Sequence, residues 1–461
     1  MMSMEENKEL SGRRISVIVA GVSGRALAEL AAELGAEVFV SDKNEIAPEI
    51  VESFGEKNIK WEEGGNSERA LEDDEIIVSS GLSPDVPILA EAREKGIKIT
   101  GELDFVSPYL NGIVIGVTGS NGKTTTTSMI GYYLEGMGYS VMAGGNIGNA
   151  VAKAANKFYD FIVLELSSFQ LYWAKDFICD IGVVTNLAPD HIDWHGSYEN
   201  YVAAKAKLLK CVAPGGAAIY QKRDEEALDI REDIKKFPLF WGEESPHVRG
   251  IYLDEGVKAA WINGGDCRMK NKLFFFENVK LLGKHNLENA AMALGAIALF
   301  NLGEVPEELI GSYVPPKHRC AFAGSVKGIT FVDDSKGTNV AAAIAAMTSL
   351  SGPKVVILGG QGKGEDYAPL ALAVKNYARA AVILGSEKKK IAAALDAVGA
   401  AGYKLAADMP EAVNAAYSLA EAGDTVLLSP ACTSWDMYKS YNDRGEHFCA
   451  IAKEIIERES K

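Results

Sequence analysis

The chain has 461 residues, of which 48% are hydrophobic and 24% charged, and its formal net charge is −16. That length exceeds what a single core usually supports, so two or three domains of an ordinary soluble kind are expected. The negative charge argues against a nucleic-acid surface, no apolar run is long enough to span a membrane, and the polar, acidic start MMSMEENKEL is no signal peptide.

The first block, taken as residues 1–110, opens with the strand-like RRISVIVAG and a helix expected from near Gly24. AEVFVSD then ends at Asp42 and DEIIVSSG at Gly81. The alternation is Rossmann-like, but Gly21-Val-Ser-Gly24 lacks the full G-x-G-x-x-G, so the turn serves either a nucleotide or close helix–strand packing. Asp42 reads equally as a ribose or base ligand and as a helix cap.

The second block, 111–315, begins with NGIVIGVTGSNGKTTTT, a strand running through a glycine turn into a helix. The pattern G-x-x-x-x-G-K-[ST] would place glycine at position 117, but Val117 stands there and the glycine is Gly116. Gly119, Gly122, Lys123 and Thr124 still fall together where backbone N–H groups and a helix N-terminus make an anion nest. Lys123 is placed to meet the β- and γ-phosphates of a nucleotide, and the Thr124 hydroxyl to ligate Mg²⁺.

Two further strands, YDFIVLELSSFQL and CDIGVVTNLAPDHIDWHG, bring Glu165, Ser167, Asp190 and His191 to their carboxyl ends. Glu165 and His191 are either metal ligands or structural residues. A histidine ligand suggests that Mn²⁺ can replace Mg²⁺. The helix YENYVAAKAKLLK carries Lys205 and Lys207, and the β-rich stretch from about Ala213 to Leu282 reads as an insertion. Asn286 and Asn289, near the start of a strongly apolar helix, either read an adenine edge or cap the helix.

The third block, 316–461, follows a linker marked by Pro315-Pro316. GITFVDDSKGTN, PKVVILGGQGKG, RAAVILGS and DTVLLSPACTSWD are strand-then-turn units. Lys363 in GGQGKG is an anion holder or a solvated turn lysine, and Lys336 is expected to pair with neighbouring Asp333 and Asp334. The six cysteines (Cys179, Cys211, Cys267, Cys320, Cys432, Cys449) form no C-x-x-C pair and read as reduced thiols of a cytoplasmic protein.

Taken in order, GVTGSNGKTT, GGNIG, LELSSFQL, TNLAPDHIDWHG, GKHNLENAAMA, DDSKGTN, LGGQGKG and LSPACTSWDMYKSYNDRG resemble the motifs of the Mur ligases over roughly the whole chain. The resemblance implies three α/β domains: a Rossmann-like N-terminal one, a central P-loop ATPase-like one and a Rossmann-like C-terminal one. GGNIG and the closing motif resemble the branch that joins D-glutamate to UDP-N-acetylmuramoyl-L-alanine in peptidoglycan precursor synthesis. The implied cofactors are ATP and Mg²⁺, and the implied partners are these small molecules, with no nucleic acid, no membrane insertion and a monomeric chain.

Carried over residue by residue, the resemblance gives the ATP phosphates to Gly119, Ser120, Asn121, Gly122, Lys123, Thr124 and Thr125. Asn286 and Asn289 would approach adenine, with Arg319 and Asp334 reaching the nucleotide from the third block. Thr124, Glu165, His191 and a carbamylated Lys205 would hold metal. Ser23, Asp42 and Gly81 fall where uridine would lie, and Asn146 and Ser167 near the muramoyl-alanine. Thr338, Lys363, Ser434, Trp435 and Tyr441 match the amino-acid pocket. Lys123, Glu165, His191 and Lys205 are thus the expected catalytic set, and no single base for the incoming amine stands out. Sister ligases and folylpolyglutamate-type ligases share the loop but not SPACTSWDMYKSYNDRG. A nucleotide switch would be expected to carry N-K-x-D, which is absent from this sequence.

Overall fold

The computed structural model describes residues 9–79, 81–146, 149–242, 248–264, 270–279, 281, 283–400 and 402–460. Three sheets follow one another along the chain. The first has five parallel strands in the spatial order Lys60–Glu62, Glu37–Ser41, Arg14–Ile18, Glu75–Val78, Lys98–Gly101. The order reverses between Arg14–Ile18 and Glu75–Val78, the place where open α/β sheets form a binding crevice. The helix after the first strand starts at Val22, two residues before the expected Gly24. After exposed Arg14, the sheet's two central strands are buried along their length on both faces, as parallel strands covered by helices must be.

The second sheet has nine strands, with Asn111–Thr118 between Cys179–Val184 and Phe158–Glu165. The stretch from Ala213 onward is not an insertion. Val212–Gln221, Lys235–Trp241 and Gly250–Asp254 continue the sheet in parallel, and Ala259–Asn263 and Lys270–Phe275 finish it as antiparallel edge strands. The β-rich, turn-containing sequence of this stretch reads as an insertion, but long-range pairing to Cys179–Val184 decides the matter, and no local sequence signal carries it. The third sheet has six strands, with Ile329–Asp333, Thr425–Leu428 and Lys354–Gly359 adjacent and parallel at its centre.

One apolar core runs from the first sheet into one face of the second, joining Ile15, Val17 and Val40 to Val151, Ile162 and Leu164. The clusters of the third sheet, around Val356 and Phe331, contain no residue of the other two. The third unit meets the phosphate-loop region through polar side chains, including Asn121–Asn339 and Asp190–Lys363. Among the described residues, no helix is long and apolar enough to cross a membrane, and five cysteines are free thiols. Cys267 lies outside the described residues.

Candidate active site

Gly116 is a strand residue rather than a loop residue, paired with Leu164 on one side and Gly182 on the other. A Cβ there would lie 2.7 Å from Leu208 Cδ1. The displaced glycine therefore lets the helix Tyr198–Lys210, which carries Lys205, press against the strand that leads into the loop. The loop's own glycines are Gly119 and Gly122, with φ of +142° and +81°. A side chain at Gly119 would run into Thr185 Oγ1, and one at Gly122 into Asn289 Oδ1.

The loop is laced to the segment after strand Cys179–Val184. Thr185 Oγ1 and Asn186 Nδ2 donate to the Asn121 carbonyl at 2.5 and 2.9 Å, and the Asn121 N–H donates to Asn186 Oδ1 at 3.0 Å. Ser120 Oγ donates to Ala188 O at 2.8 Å and accepts from the Tyr201 hydroxyl at 2.9 Å. Thr124 and Thr125 are buried in the first turn of the helix Lys123–Gly136. Lys123 folds back, donating to Gly119 O at 2.8 Å and Ser120 O at 3.0 Å. Burial pulls its pKa below the usual lysine range, against the attraction of Glu165 and Asp190.

Lys205 is 2% exposed, donates to the same Gly119 carbonyl at 2.7 Å and lies over the Tyr201 ring. Burial holds its amine well below the ordinary lysine pKa, and the charge of Lys123 pushes the same way. Glu165 ends its strand with Oε1 accepting from Asn146 Nδ2 at 3.1 Å, while Oε2 is buried with no partner among the described residues. His191 takes φ +52° just before the helix Ile192–His195. Burial pushes its ring down to about 3; Asp190 opposes this, and Lys363, Lys123 and Lys205 add to it. A neutral imidazole and an unpartnered buried carboxylate oxygen are the donors a divalent cation takes. These residues therefore fit the metal expected from the loop, although no group of three His, Cys, Asp or Glu side chains gathers among the described residues.

Two cavities flank the loop. One, of about 230 Å³, is lined by Asn121, Gly122, Thr125, Asn286 and Asn289 together with Arg319 and Asp334 from the third unit. Neither asparagine caps the helix Lys284–Ala298, whose cap position is Gly283 without a side-chain bond. Asn289 Nδ2 instead donates to Asn286 Oδ1 at 3.2 Å, and its other end packs under Gly122. Burial raises the Asp334 carboxyl to about 7, against hydrogen bonds from Ser429 and the Cys320 N–H.

The other cavity, of about 380 Å³, brings Lys123, Asn146, Ser167, His191 and Lys205 face to face with Thr338, Lys363, Ser434, Trp435 and Tyr441. Lys363 is buried, not solvated, and its Nζ lies 2.7 Å from Asp190 Oδ1. Ser167 spends its hydroxyl in a capping box with Gln170. Ser23, Asp42 and Gly81 line neither cavity; they follow three strands of the first sheet at their carboxyl ends. Asp42 is no helix cap: it accepts from Ala20 N–H at 2.7 Å and Asn44 N–H at 2.9 Å.

Lys336 corrects an expectation. Asp333 turns to His318 and the Ser335 N–H, and Asp334 to Ser429, so neither pairs with it. Its Nζ lies 3.9 Å over the Tyr441 ring and it borders both cavities. Burial, with Arg319 adding, brings its pKa down to about 7. Two residues without a sequence signal also matter. Asn339 caps the helix Val340–Ser349 and donates to Asp190 at 3.2 Å. Arg444 joins two pocket turns, donating to Ser335 O at 2.7 Å and Cys432 O at 3.1 Å.

Residues 14–88 match the MurD N-terminal domain, 117–297 the Mur ligase middle domain, and 318–432 the Mur ligase, glutamate ligase domain. A UDP-N-acetylmuramoylalanine–D-glutamate ligase of Pelotomaculum thermopropionicum is 35% identical, over 97% of this chain and 98% of its own. The chain belongs to the Mur ligase family. A ligase of the same name from Pseudothermotoga lettingae is 36% identical over 94% of this chain and 96% of its own. Among solved structures, this Mur ligase resembles the UDP-N-acetylmuramate–alanine ligase of Thermotoga maritima at a TM-score of 0.57 and 18% identity, over 96% of this chain and 99% of that one. The MurF ligase of Thermotoga maritima, solved in complex with ADP, gives 0.56 and 18% over 92% and 95%. These two likenesses show a shared three-domain α/β fold.

Proposed function

We propose that this Mur ligase is an ATP-dependent enzyme that adds D-glutamate to UDP-N-acetylmuramoyl-L-alanine through an acyl phosphate. The observation that carries the reading is the larger cavity, where the phosphate-loop lysine and the third unit's Lys363, Thr338 and Ser434 line one space. A carboxylate is a poor electrophile, so the nucleotide sugar's terminal carboxylate must first take the γ-phosphoryl group. The amine of D-glutamate then attacks that carbon, and phosphate leaves. Negative charge accumulates throughout, and Lys123 and the N-terminus of the helix it opens would stabilise it.

Thr124, Glu165 and His191, with Lys205 as a carbamate, would hold Mg²⁺ or Mn²⁺. When bound, such a cation supplies Lewis-acid stabilisation of phosphoryl and carboxyl oxygens. Asn146 Nδ2 holds Glu165 Oε1, and third-unit residues on the far side of the cavity would shield the acyl phosphate from water. The smaller cavity suits adenine and ribose between Asn286, Asn289, Arg319 and Asp334. The carboxyl ends of the first sheet suit uridine, with Ser23, Asp42 and Gly81 nearest. The units are taken as 1–110 for the nucleotide sugar, 111–315 for ATP and 316–461 for the amino acid, in a monomeric cytoplasmic enzyme.

The test is ATP-dependent phosphate release with UDP-N-acetylmuramoyl-L-alanine and a panel of D- and L-amino acids. Release with D-glutamate alone is expected. Release independent of an acceptor, or preference for another amino acid, would overturn the reading.

A further inference from the structure

Lys123, Lys205, Lys336 and Lys363 all line the larger cavity. Among its described lining residues, Asp190 is the one carboxylate. Asp190 and Lys363 each keep only 8% side-chain exposure, and they face one another at 2.7 Å. Asp190 is fixed from both sides of the cleft: its Oδ1 accepts from the His191 N–H at 3.0 Å and its Oδ2 from Asn339 Nδ2 at 3.2 Å. An amino acid in water carries an ammonium beside a carboxylate. The charge of Lys363 repels an ammonium brought into this cavity unless an anion receives it, and Asp190 is the carboxylate beside it.

We propose that Asp190 is the docking residue for the ammonium group of the acceptor amino acid, with Lys363 receiving a carboxylate of the same molecule. On binding, the Asp190–Lys363 ion pair is exchanged for two ion pairs to the substrate, so no buried charge is left alone. The assignment rests on the reading that the acceptor is D-glutamate. It also explains how the attacking nitrogen is brought beside the phosphate loop: Asp190 belongs to the same segment that ties down Asn121 and Ser120. Asp190 thereby becomes a positioning and specificity residue that discriminates amino acids from dicarboxylates.

The test compares D-glutamate with D-2-hydroxyglutarate, which keeps both carboxylates and replaces the ammonium by a hydroxyl. In the wild-type enzyme the hydroxy acid is expected to inhibit with a constant at least about 10-fold weaker than the D-glutamate KM, the range of one charge-assisted contact. In Asp190→Asn the KM for D-glutamate should rise by about that factor while inhibition by the hydroxy acid stays within about threefold, so the gap closes. Asp190→Glu should recover part of the loss, and Lys363→Ala should weaken both ligands together. Equal affinity of the two ligands in the wild-type enzyme, or equal weakening of both by Asp190→Asn, would overturn the proposal, and the wild-type comparison stands even if the variants do not fold. Absence of any D-glutamate-dependent turnover in the wild-type enzyme would instead overturn the underlying reading.

Discussion

Lys123 and Lys205 direct their amines at one acceptor, the carbonyl oxygen of Gly119, at 2.8 and 2.7 Å. Burial lowers the pKa of both amines, and at Lys205 the charge of Lys123 adds to the fall. An amine held neutral is the form that adds to CO₂: nitrogen bonds to carbon, a proton leaves, and a carboxylate results. That change turns a second cation beside Lys123 into an anion facing it. Lys205→Ala should therefore lose ligation while keeping the fold, and added short carboxylates such as acetate or propionate should restore part of it. Steady-state turnover with and without the added acid, and the mass of the intact wild-type chain in bicarbonate, check this.

Lys123→Ala should abolish ligation by about 10²-fold or more, the usual loss for one preorganised charge contact to a developing anion. Its partners are the carbonyls of Gly119 and Ser120, so the amine lies against the loop that would cradle the phosphates. Nucleotide titration separates the two roles: binding should weaken less than turnover. Wild-type-like turnover by a folded variant would remove the loop from the mechanism.

Lys363→Ala should raise the KM for D-glutamate about 10- to 150-fold with a smaller change in kcat, because a carboxylate away from the reacting bond is held equally in ground and transition states. The variant also leaves Asp190 without its cation in a buried place, so a lower thermal midpoint is expected as well. Steady-state kinetics with each substrate varied in turn is the measurement. A defect confined to ATP or the nucleotide sugar would place Lys363 in another site.

Gly116→Ala tests why the loop's glycine is displaced. Its Cβ would meet Leu208 Cδ1 at 2.7 Å, so Leu208 must change rotamer or carry the helix bearing Lys205 outward. Overpacking of this kind costs roughly 1–3 kcal/mol. Activity should fall more than stability, since Lys205 moves with its helix. Chemical denaturation and turnover on the same preparation distinguish the two.

Glu29, on the helix Val22–Glu33 of the first unit, meets Arg25 at 2.8 Å and Lys153 of the second unit at 3.2 Å. Burial would raise its pKa, but Arg25, Ser53 and Lys153 outweigh that and bring it down to about 2 from 4.5. A carboxylate depressed in the folded state stabilises above its unfolded value, and the gain is lost as pH falls from about 4.5 towards 2. The difference in Tm between the wild-type chain and Glu29→Gln should therefore be clear at neutral pH and shrink in acid. A pH-independent difference would show that packing, not charge, links the two units.

How much was legible in the sequence depended on whether a property is local. The alternation of apolar strands and turns determined three α/β units, and the run Gly119 to Thr125 determined a glycine turn into a helix, because both follow from backbone geometry within a few residues. The motif order determined the family. Tertiary structure alone decided the rest. Gly116 answers to Leu208, Lys336 leaves its neighbours Asp333 and Asp334 for Tyr441, and the strands after Ala213 join the central sheet. Lys363 finds Asp190 across the cleft, between two units of the fold. Buried charges and packing glycines are set by whatever the fold brings within a few ångströms, and sequence spacing does not encode that distance.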